Sequence, residues 1–536
     1  MSSSLKTGMS SDHKETSPIL NTTPLSIHVF VVMVAALSAL FMVKRGIALS
    51  EDGMNYLIGM QCAFLLDPCF GNHWPPLYSM LLRAVQGITH LSLYNTVALT
   101  QCGLWFASII AWFRLLEKSF PSRHLMHAWL VLAFATSGEI FDMYVNVQSE
   151  PLFMFLMMML LHSMYHASTT QEPSLWPWAR TGFLAAALML TRWLGGAFVV
   201  GGLVATALFS QGMKTQQRLK IVATYAFASG IPIILWMIRN KIVKGELQYL
   251  STTWAAGEPD FPLDVILTSI LRAFSRITFG LPARFAEQPI LASLFLLCIF
   301  LSISWVIVQS KRQPLSANAT LLYVGIVIYV GGFACLNIWS KGLFRTNLYY
   351  KMLIPFGIYL LAQVYMYSSQ FHGRLLTLLR TFSIAVLLML TAQGGVVLIR
   401  NTQELIAKDM IGREGALRAW HAHLLTPTNR FDSFWRMEQW MNDAPDKTYI
   451  LSGELGPSMA FITNKEIKHK PLTLDFTKKL ISGDIQATSG NNEIGLLLLE
   501  PKRLDSPSMR QLFAYSKQHF KPVLEDMDSD LFIYAY

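Results

Sequence analysis

The stretch RTGFLAAALMLTRWLGGAFVVGGLVATALF, residues 180–209, decides the topology of this chain. It is long for one membrane-spanning helix, which needs about 20 apolar residues. Arg192, followed by Gly195 and Gly196, interrupts its middle. The stretch is therefore either one interrupted span or two short helices that meet at residues 193–196.

The short basic loops on either side distinguish these two arrangements. With a single span, GMKTQQRLK (residues 212–220) and SKRQPL (residues 310–315) would lie outside the cytosol. With a hairpin of two helices, both lie inside, together with EKSFPSRH (residues 117–124) and HGRLLTLLR (residues 372–380). Because Lys and Arg accumulate in cytoplasmic loops, the sequence predicts the hairpin and a cytoplasmic N-terminus.

The composition indicates a polytopic membrane protein. Of the 536 residues, 53% are hydrophobic and only 14% are charged, which is unlike a soluble enzyme. The net charge of +10 fits basic cytoplasmic loops and contact with anionic membrane lipids. The sequence has no basic stretch interleaved with aromatic residues, so a nucleic-acid partner is not expected. With the hairpin, about eleven membrane helices are expected. The other apolar runs lie near residues 25–43, 93–116, 125–141, 151–166, 219–239, 289–309, 319–339, 351–367 and 376–399.

Three regions are predicted along the chain. Residues 1–24 are polar and are expected to form a disordered cytoplasmic tail, and residues 25–400 form the membrane domain. Residues 401–536 carry short β-type runs (TYILSG, IGLLLLE and LFIYAY) and a helix pattern, SPSMRQLFAYSKQHF, with Ser506 as N-cap and Pro507 at the first helical position. The fold class is therefore an α-helical polytopic membrane protein with a small extracytoplasmic α/β domain.

The predicted topology collects polar residues on the outer face. Acids there can activate a hydroxyl or hold a divalent metal, and cations can hold a phosphate, which together suit a reaction on a lipid phosphate at the interface. The outer segments also contain Cys62 and Cys69, for which a disulfide is an open alternative. The polar residues concerned are Glu51, Asp52, His73, Glu139, Asp142, Glu150, Arg345 and Lys351.

Five motifs in order resemble the GT-C superfamily of integral-membrane glycosyltransferases, in the branch of protein O-mannosyltransferases and lipid A aminoarabinose transferases. They are EDGMNYL after the first helix, HWPPLYSMLL, QSEPLFMFLMMMLL, GFLAAALMLTRWLGG and LFRTNLYYKMLIPF. Many members have Asp-Glu in the first loop, whereas this chain has Glu51-Asp52-Gly53. Which of the two acids acts as the base therefore stays open.

The resemblance implies a polyprenyl-phosphate-sugar donor and transfer of the sugar to a hydroxyl of a lipid, glycan or protein, with inversion. The carboxylate of Asp52, or of Glu51, would be the catalytic base that deprotonates the acceptor hydroxyl. Arg345, Lys351 and Arg192 would bind the donor phosphate. A second set would contact donor or acceptor: Tyr56, His73, Asp142 and Glu150. No cofactor is certain, and a divalent metal remains an open alternative with no ligand set assigned.

Each of these residues also has a plain structural explanation. Asp52 could be a solvated loop acid, and His73, before Trp-Pro-Pro, could be structural. Glu150 follows Ser149, so capping and the helix dipole alone would explain both residues.

The cations have structural explanations as well. Arg345 and Lys351 could be interfacial side chains that snorkel. Arg192 could pair with an acid such as Glu150 or reach the surface.

Two other functions compete with glycosyl transfer. A transporter or flippase of a lipid-linked sugar would be expected to show internal repeats with matched broken helices, and the sequence has one interrupted hairpin. A non-catalytic envelope assembly protein would tolerate replacement of Asp52. The location expected from the compact loops is a bacterial inner membrane with the site on the periplasmic side, and the endoplasmic reticulum is the alternative.

Overall fold

A computed structural model provides the structure of the chain. It describes residues 24–49, 51–61, 75–170, 174–209, 214–244, 262–309, 314–339, 350–370, 372–407, 448–452, 467–470, 493–499, 507–526 and 531–535. Cys62, Cys69, His73 and Arg345 lie outside these residues. Glu51 and Asp52 are described by backbone alone, as the first two residues of a helix.

Within the described residues, seven helices are long and apolar enough to cross a membrane. Their number and length make the chain an integral membrane protein. The predicted runs match them, with ends displaced by a few residues. They are α1 (Leu25–Arg45), α4 (Leu93–Ser119), α7 (Glu150–Thr169), α10 (Thr215–Lys244), α13 (Pro289–Gln309), α14 (Pro314–Trp339) and α16 (Arg374–Ala407).

Shorter helices complete the bundle. The first outer segment forms α2 and α3, and a π-helical turn follows α11 at Phe274–Thr278. The shorter helices are α2 (Glu51–Gln61), α3 (Leu77–Thr89), α5 (His124–Thr136), α6 (Gly138–Tyr144), α8 (Trp176–Met189), α9 (Gly196–Phe209), α11 (Leu263–Ala273), α12 (Ala283–Ala286) and α15 (Ile354–Ser369).

The predicted hairpin is present as α8 and α9, joined by a 3-10 turn at Trp193–Gly195. Near its far end, α8 bonds α7 through Arg180 Nε and Ser163 Oγ at 3.1 Å. At its tip, the chain lies beside the first turn of α7, and the rings of Phe153 and Phe198 are 5.9 Å apart. Helix α8 therefore runs antiparallel to α7, and α9 returns beside it. The total of about eleven membrane helices stays a prediction.

Close packing of small residues joins the hairpin to α14. A Cβ on Gly201 would lie 2.6 Å from the Leu321 carbonyl oxygen and 3.0 Å from the Gly325 nitrogen. Two helices in lipid associate by such close backbone contact, because no hydrophobic driving force acts between them there.

We expect Gly201→Leu to destabilise the protein by about 1–3 kcal/mol, because the new side chain must force α9 and α14 apart. Gly331→Leu is the control on α14, since a Cβ there meets nothing within 4 Å. The measurement is the temperature at which half of the protein stays monodisperse in detergent. Equal midpoints for the two variants would contradict the close contact.

The prediction of one span over residues 125–141 is wrong in detail. The helix breaks at Ser137, whose backbone is extended, so that α5 and α6 are separate. Helix α16 crosses at this break: a Cβ on Gly138 would collide with the backbone of Val397 and Leu398, and one on Gly394 would lie 3.0 Å from Ser137 Cα. The break thus belongs to a tertiary crossing.

The C-terminal region contains a five-stranded mixed sheet in the order β4-β3-β5-β7-β6. Strand β3 is parallel to β4 and β5, whereas β7 is antiparallel to β5 and β6. All three predicted β-type runs form strands, and the predicted helix begins at Pro507. The elements are β3 (Thr448–Ser452), β4 (Ile467–Lys470), β5 (Glu493–Leu499), α17 (Pro507–His519), β6 (Lys521–Asp526) and β7 (Leu531–Ala535).

Candidate active site

Two short strands join the segment after α1 to the segment before α7. Strand β1 (Ala48–Leu49) pairs in parallel with β2 (Asn146–Val147). The Gln101 side chain of α4 donates a hydrogen bond to the Asn146 carbonyl oxygen at 2.7 Å. This pairing holds the start of α2, which carries Glu51 and Asp52, beside the start of α7.

A buried polar cluster, the Glu150 cluster, lies where α2, α7 and the tip of the hairpin meet. Arg192 forms an ion pair with Glu150, with 2.5 Å between Nη1 and Oε1, and the two side chains are only 4% and 3% exposed. Ser149 Oγ accepts a hydrogen bond from Arg192 at 3.4 Å and shares one with the Tyr56 hydroxyl at 2.6 Å. The cluster therefore links Tyr56 of α2 to Arg192 through α7. Of the two alternatives for Arg192, pairing with Glu150 or reaching the surface, the structure shows the pairing.

The prediction that Ser149 caps α7 with its side chain is wrong. Ser149 occupies the N-cap position, but its hydroxyl makes no capping hydrogen bond and is turned to Tyr56 and Arg192 instead. Capping therefore does not explain this residue, whereas Glu150 and Pro151 do lie in the first turn.

Helix α3 adds a second tyrosine to the cluster. Its first residue, Leu77, donates to the Leu190 carbonyl oxygen at the hairpin tip at 3.0 Å. The Tyr78 ring meets the Tyr56 ring edge-on, with centroids 5.0 Å apart. Within the described part of the chain, neither the Tyr78 hydroxyl nor Glu150 Oε2 has a hydrogen-bond partner.

The unpartnered Tyr78 hydroxyl keeps its proton. Burial, then the nearby Tyr56 hydroxyl and the Glu150 charge, raise the pKa of Tyr78 well above its usual value. Buried polar groups normally have partners. A protonated hydroxyl and a carboxylate oxygen that are both unpaired offer a donor and an acceptor to a ligand.

A second charged cluster lies on α6 and just before α15. Lys351 Nζ is 2.6 Å from Glu139 Oε2 and 3.9 Å from Asp142 Oδ2. Arg45, at the end of α1, pairs with Asp142 Oδ1 at 2.9 Å. Burial lowers the pKa of Lys351, but the charges of Glu139 and Asp142 outweigh it, so the pKa is raised and the ammonium stays charged.

The structure thus brings five of the predicted site residues to one end of the bundle: Tyr56, Asp142, Glu150, Arg192 and Lys351. Lys351 lies against Glu139 and Asp142, so it is not the snorkelling interfacial side chain that was the alternative for this residue. Arg45, Ser149 and Tyr78 belong to these two clusters but were not predicted from the sequence as candidate site residues. Tyr78 lies within the HWPPLYSMLL motif, which was the available signal.

Metal binding receives no support from the described residues. Within them, no group of three or more His, Cys, Asp or Glu side chains is arranged to hold a metal ion. His73 and the side chains of Glu51 and Asp52 are not among the described residues and side chains to which this applies. The open alternative of a divalent metal stays a prediction.

A pair of conservative substitutions tests the Glu150 cluster. We expect Tyr56→Phe to destabilise the protein by about 1 kcal/mol, because Ser149 loses a buried hydrogen bond. Tyr78→Phe should leave the thermal midpoint unchanged or raise it, because the hydroxyl it removes has no partner in the described part of the chain. Thermal unfolding in detergent compares the two, and a larger loss in Tyr78→Phe would contradict the hydrogen bonding described here.

Comparison with known proteins places this geometry in a known fold. No protein-family model matches the chain, and no curated protein matches its sequence. Among solved structures, ArnT from Cupriavidus metallidurans in the apo state is similar, with a TM-score of 0.52, 11% identity and coverage of 95% of this chain and 98% of ArnT. The structure of the same protein bound to undecaprenyl phosphate is similar as well, with a TM-score of 0.52, 10% identity and coverage of 95% of this chain and 98% of ArnT.

A looser likeness, with a TM-score of 0.40 and 11% identity, relates the chain to the archaeal oligosaccharyltransferase AglB from Archaeoglobus fulgidus. It covers 92% of this chain and 72% of AglB. The similarity to ArnT extends over nearly the full length of both chains. The chain therefore has the fold of ArnT, which confirms the expected membrane fold.

Proposed function

We propose that this protein is a glycosyltransferase that moves a sugar from a polyprenyl-phosphate donor to a hydroxyl acceptor. The observation that carries the proposal is the meeting of acids and cations at one end of a GT-C-type bundle, beside the helix that begins with Glu51 and Asp52. The likeness to ArnT, which has been solved bound to undecaprenyl phosphate, supports a lipid-linked donor.

In the proposed reaction, the Asp52 carboxylate takes the proton of the acceptor hydroxyl. The acceptor oxygen attacks the anomeric carbon, and the bond from that carbon to the phosphate oxygen breaks. The electron pair leaves with the polyprenyl phosphate, and the anomeric configuration inverts. Glu51 is the alternative base, and general base catalysis of this kind contributes about 10²–10⁴-fold to a rate.

Cations stabilise the leaving phosphate in this proposal. Lys351, Arg192 and Arg345 are the proposed phosphate ligands, and charge-assisted hydrogen bonds to phosphate are the strong ones. The two described cations are already ion-paired with acids. Those pairs hold the side chains in position before the donor binds, which reduces the ordering needed on binding.

The remaining proposed site residues contact the sugar or the acceptor. Tyr56, His73, Asp142 and Glu150 form this set. Glu150 Oε2 and the Tyr78 hydroxyl, which have no hydrogen-bond partner among the described residues, would exchange hydrogen bonds with sugar hydroxyls.

The proposed setting is a bacterial inner membrane, with this end of the bundle on the periplasmic side and the N-terminus in the cytoplasm. Residues 401–536 form the proposed extracytoplasmic domain, which helps to select the acceptor. Deleting that domain should change acceptor choice while donor consumption persists. Unchanged acceptor choice would contradict the role of the domain.

Donor consumption by the purified protein in lipid tests the proposed function. Wild type is incubated with a panel of radiolabelled polyprenyl-phosphate sugars and, separately, of radiolabelled nucleotide sugars, with membrane extract as acceptor, and consumption of each donor is followed. We expect one lipid-linked donor to be consumed and nucleotide sugars to be ignored. Consumption of a nucleotide sugar would overturn the donor class. Transbilayer movement of a lipid-linked sugar in liposomes, without transfer, would favour a flippase.

A further inference from the structure

An apolar groove lies on the outside of the bundle, between α4 and α7, towards the end opposite to the Glu150 cluster. Phe106, Ile110 and Ala111 of α4 line one wall, and Phe155 and Met159 of α7 line the other. Its volume is about 410 Å³, within the range of ligand sites. The two helices run parallel here, so the groove follows the direction of a lipid chain.

Cations gather where this groove ends. Arg114 and His162 are its polar lining residues. Lys118 Nζ lies 3.1 Å from His162 Nε2, and the charges of Arg180 and Arg114 act on Lys118. We call the three cations Arg114, Lys118 and Arg180, together with His162 as the hydrogen-bond partner of Lys118, the Lys118 cluster.

The Lys118 cluster is short of negative charge. Glu117 is the acid beside it, and its two oxygens are engaged with His28 and Arg114, each at 3.2 Å. Within the described residues, no carboxylate lies within ion-pairing distance of Lys118 or Arg180. Lys118 and Arg180, held this close together with no carboxylate of their own among these residues, favour an anion.

The position of the cluster matches the headgroup level of a membrane. It lies at the end of two membrane-length helices, α4 and α7, on the side where α8 begins. Trp176, the first residue of α8, is 66% exposed, as aromatic residues at a membrane interface are. A free phosphate would match the cations but would leave the apolar groove unfilled.

We propose that this groove binds an anionic phospholipid, with an acyl chain between α4 and α7 and the phosphate on the Lys118 cluster. The apolar walls of the groove are complementary to the acyl chain of such a lipid, and the cations at its end are complementary to the phosphate. The site is separate from the Glu150 cluster and does not rest on the proposed glycosyl transfer.

The test uses the delipidated full-length protein in non-ionic detergent. Native mass spectrometry follows binding of dioleoyl phosphatidylglycerol or dioleoyl phosphatidylcholine as each lipid is titrated. We expect the anionic lipid to bind at least about tenfold more tightly than the zwitterionic lipid. The double variant Arg114→Gln/Lys118→Gln should weaken binding of the anionic lipid about 25-fold, since each cation near a headgroup contributes about fivefold.

Two further variants separate a built site from general charge. Lys214→Gln/Lys220→Gln removes the same charge from exposed positions near the start of α10 and should leave phosphatidylglycerol binding unchanged. Ala111→Trp fills the groove and should weaken binding of phosphatidylglycerol, although all the cations of the Lys118 cluster are retained. Equal binding of both lipids, equal loss in both charge variants, or unchanged binding in Ala111→Trp would overturn the proposal. A co-purifying protein displaced by Ala111→Trp would also overturn it.

Discussion

Glu150→Gln will destabilise the protein by about 3–5 kcal/mol, because it leaves a buried guanidinium without its carboxylate. Both side chains of the Arg192–Glu150 pair are nearly inaccessible, at 4% and 3% exposure. Solvent therefore cannot replace the lost partner, and the neutral amide cannot balance the charge of Arg192. Arg192→Gln should cost a similar amount, since it leaves the carboxylate buried instead.

A surface ion pair of the same chain is the matched control. Arg400 and Glu404 pair at 3.0 Å on α16, but their side chains are 76% and 51% exposed. Glu404→Gln should change stability by no more than about 0.5 kcal/mol, because water solvates both charges. Thermal midpoints in detergent, with the protein at equal concentration, compare the two substitutions.

A double-mutant cycle completes this prediction. The double variant Glu150→Gln/Arg192→Gln should be less destabilised than the sum of the two single variants, because neither member of the ion pair then keeps its charge without the other. A Glu150→Gln midpoint as close to wild type as that of Glu404→Gln would mean that Arg192 finds another counter-charge. Its ion pair would then not hold the hairpin tip against α7.

Most of the helical framework could be predicted from the sequence because the bilayer imposes it. An apolar run must reach about 20 residues to span the membrane, so α13 was predicted near residues 289–309, where it is observed. The hairpin over residues 180–209 followed from the positive charges of the loop directly after it and of loops farther along the chain. The mixed sheet was foreseen as strands, but its order depends on pairing between distant segments.

The errors in the prediction have one physical origin, which is contact between residues far apart in sequence. The break at Ser137 depends on α16 crossing there. The Ser149 hydroxyl favours Tyr56 and Arg192 over its own helix, which no local pattern contains. Arg45 resembles an ordinary cation at the end of a membrane helix, and only the fold brings Asp142 to it.

We expect Asp52→Asn to lower the rate of donor consumption by about 10²–10⁴-fold, because the amide cannot accept the proton of the acceptor hydroxyl. Asp52 is the second residue of α2, one helical turn before Tyr56, which is bonded to Ser149 of the Glu150 cluster. The measurement is release of polyprenyl phosphate from the donor that wild type consumes, at equal amounts of folded protein.

Glu51→Gln is the matched control, since it removes the same charge from the neighbouring residue of α2. If Asp52 is the base, Glu51→Gln should retain most of the activity, and its effect should fall mainly on KM, through the field at the site. The reverse order of losses would transfer the role of base to Glu51. Full activity in both variants would leave the acids as solvated groups at the start of α2. That result would move the search for the base to Glu150, whose second oxygen has no partner within the described part of the chain.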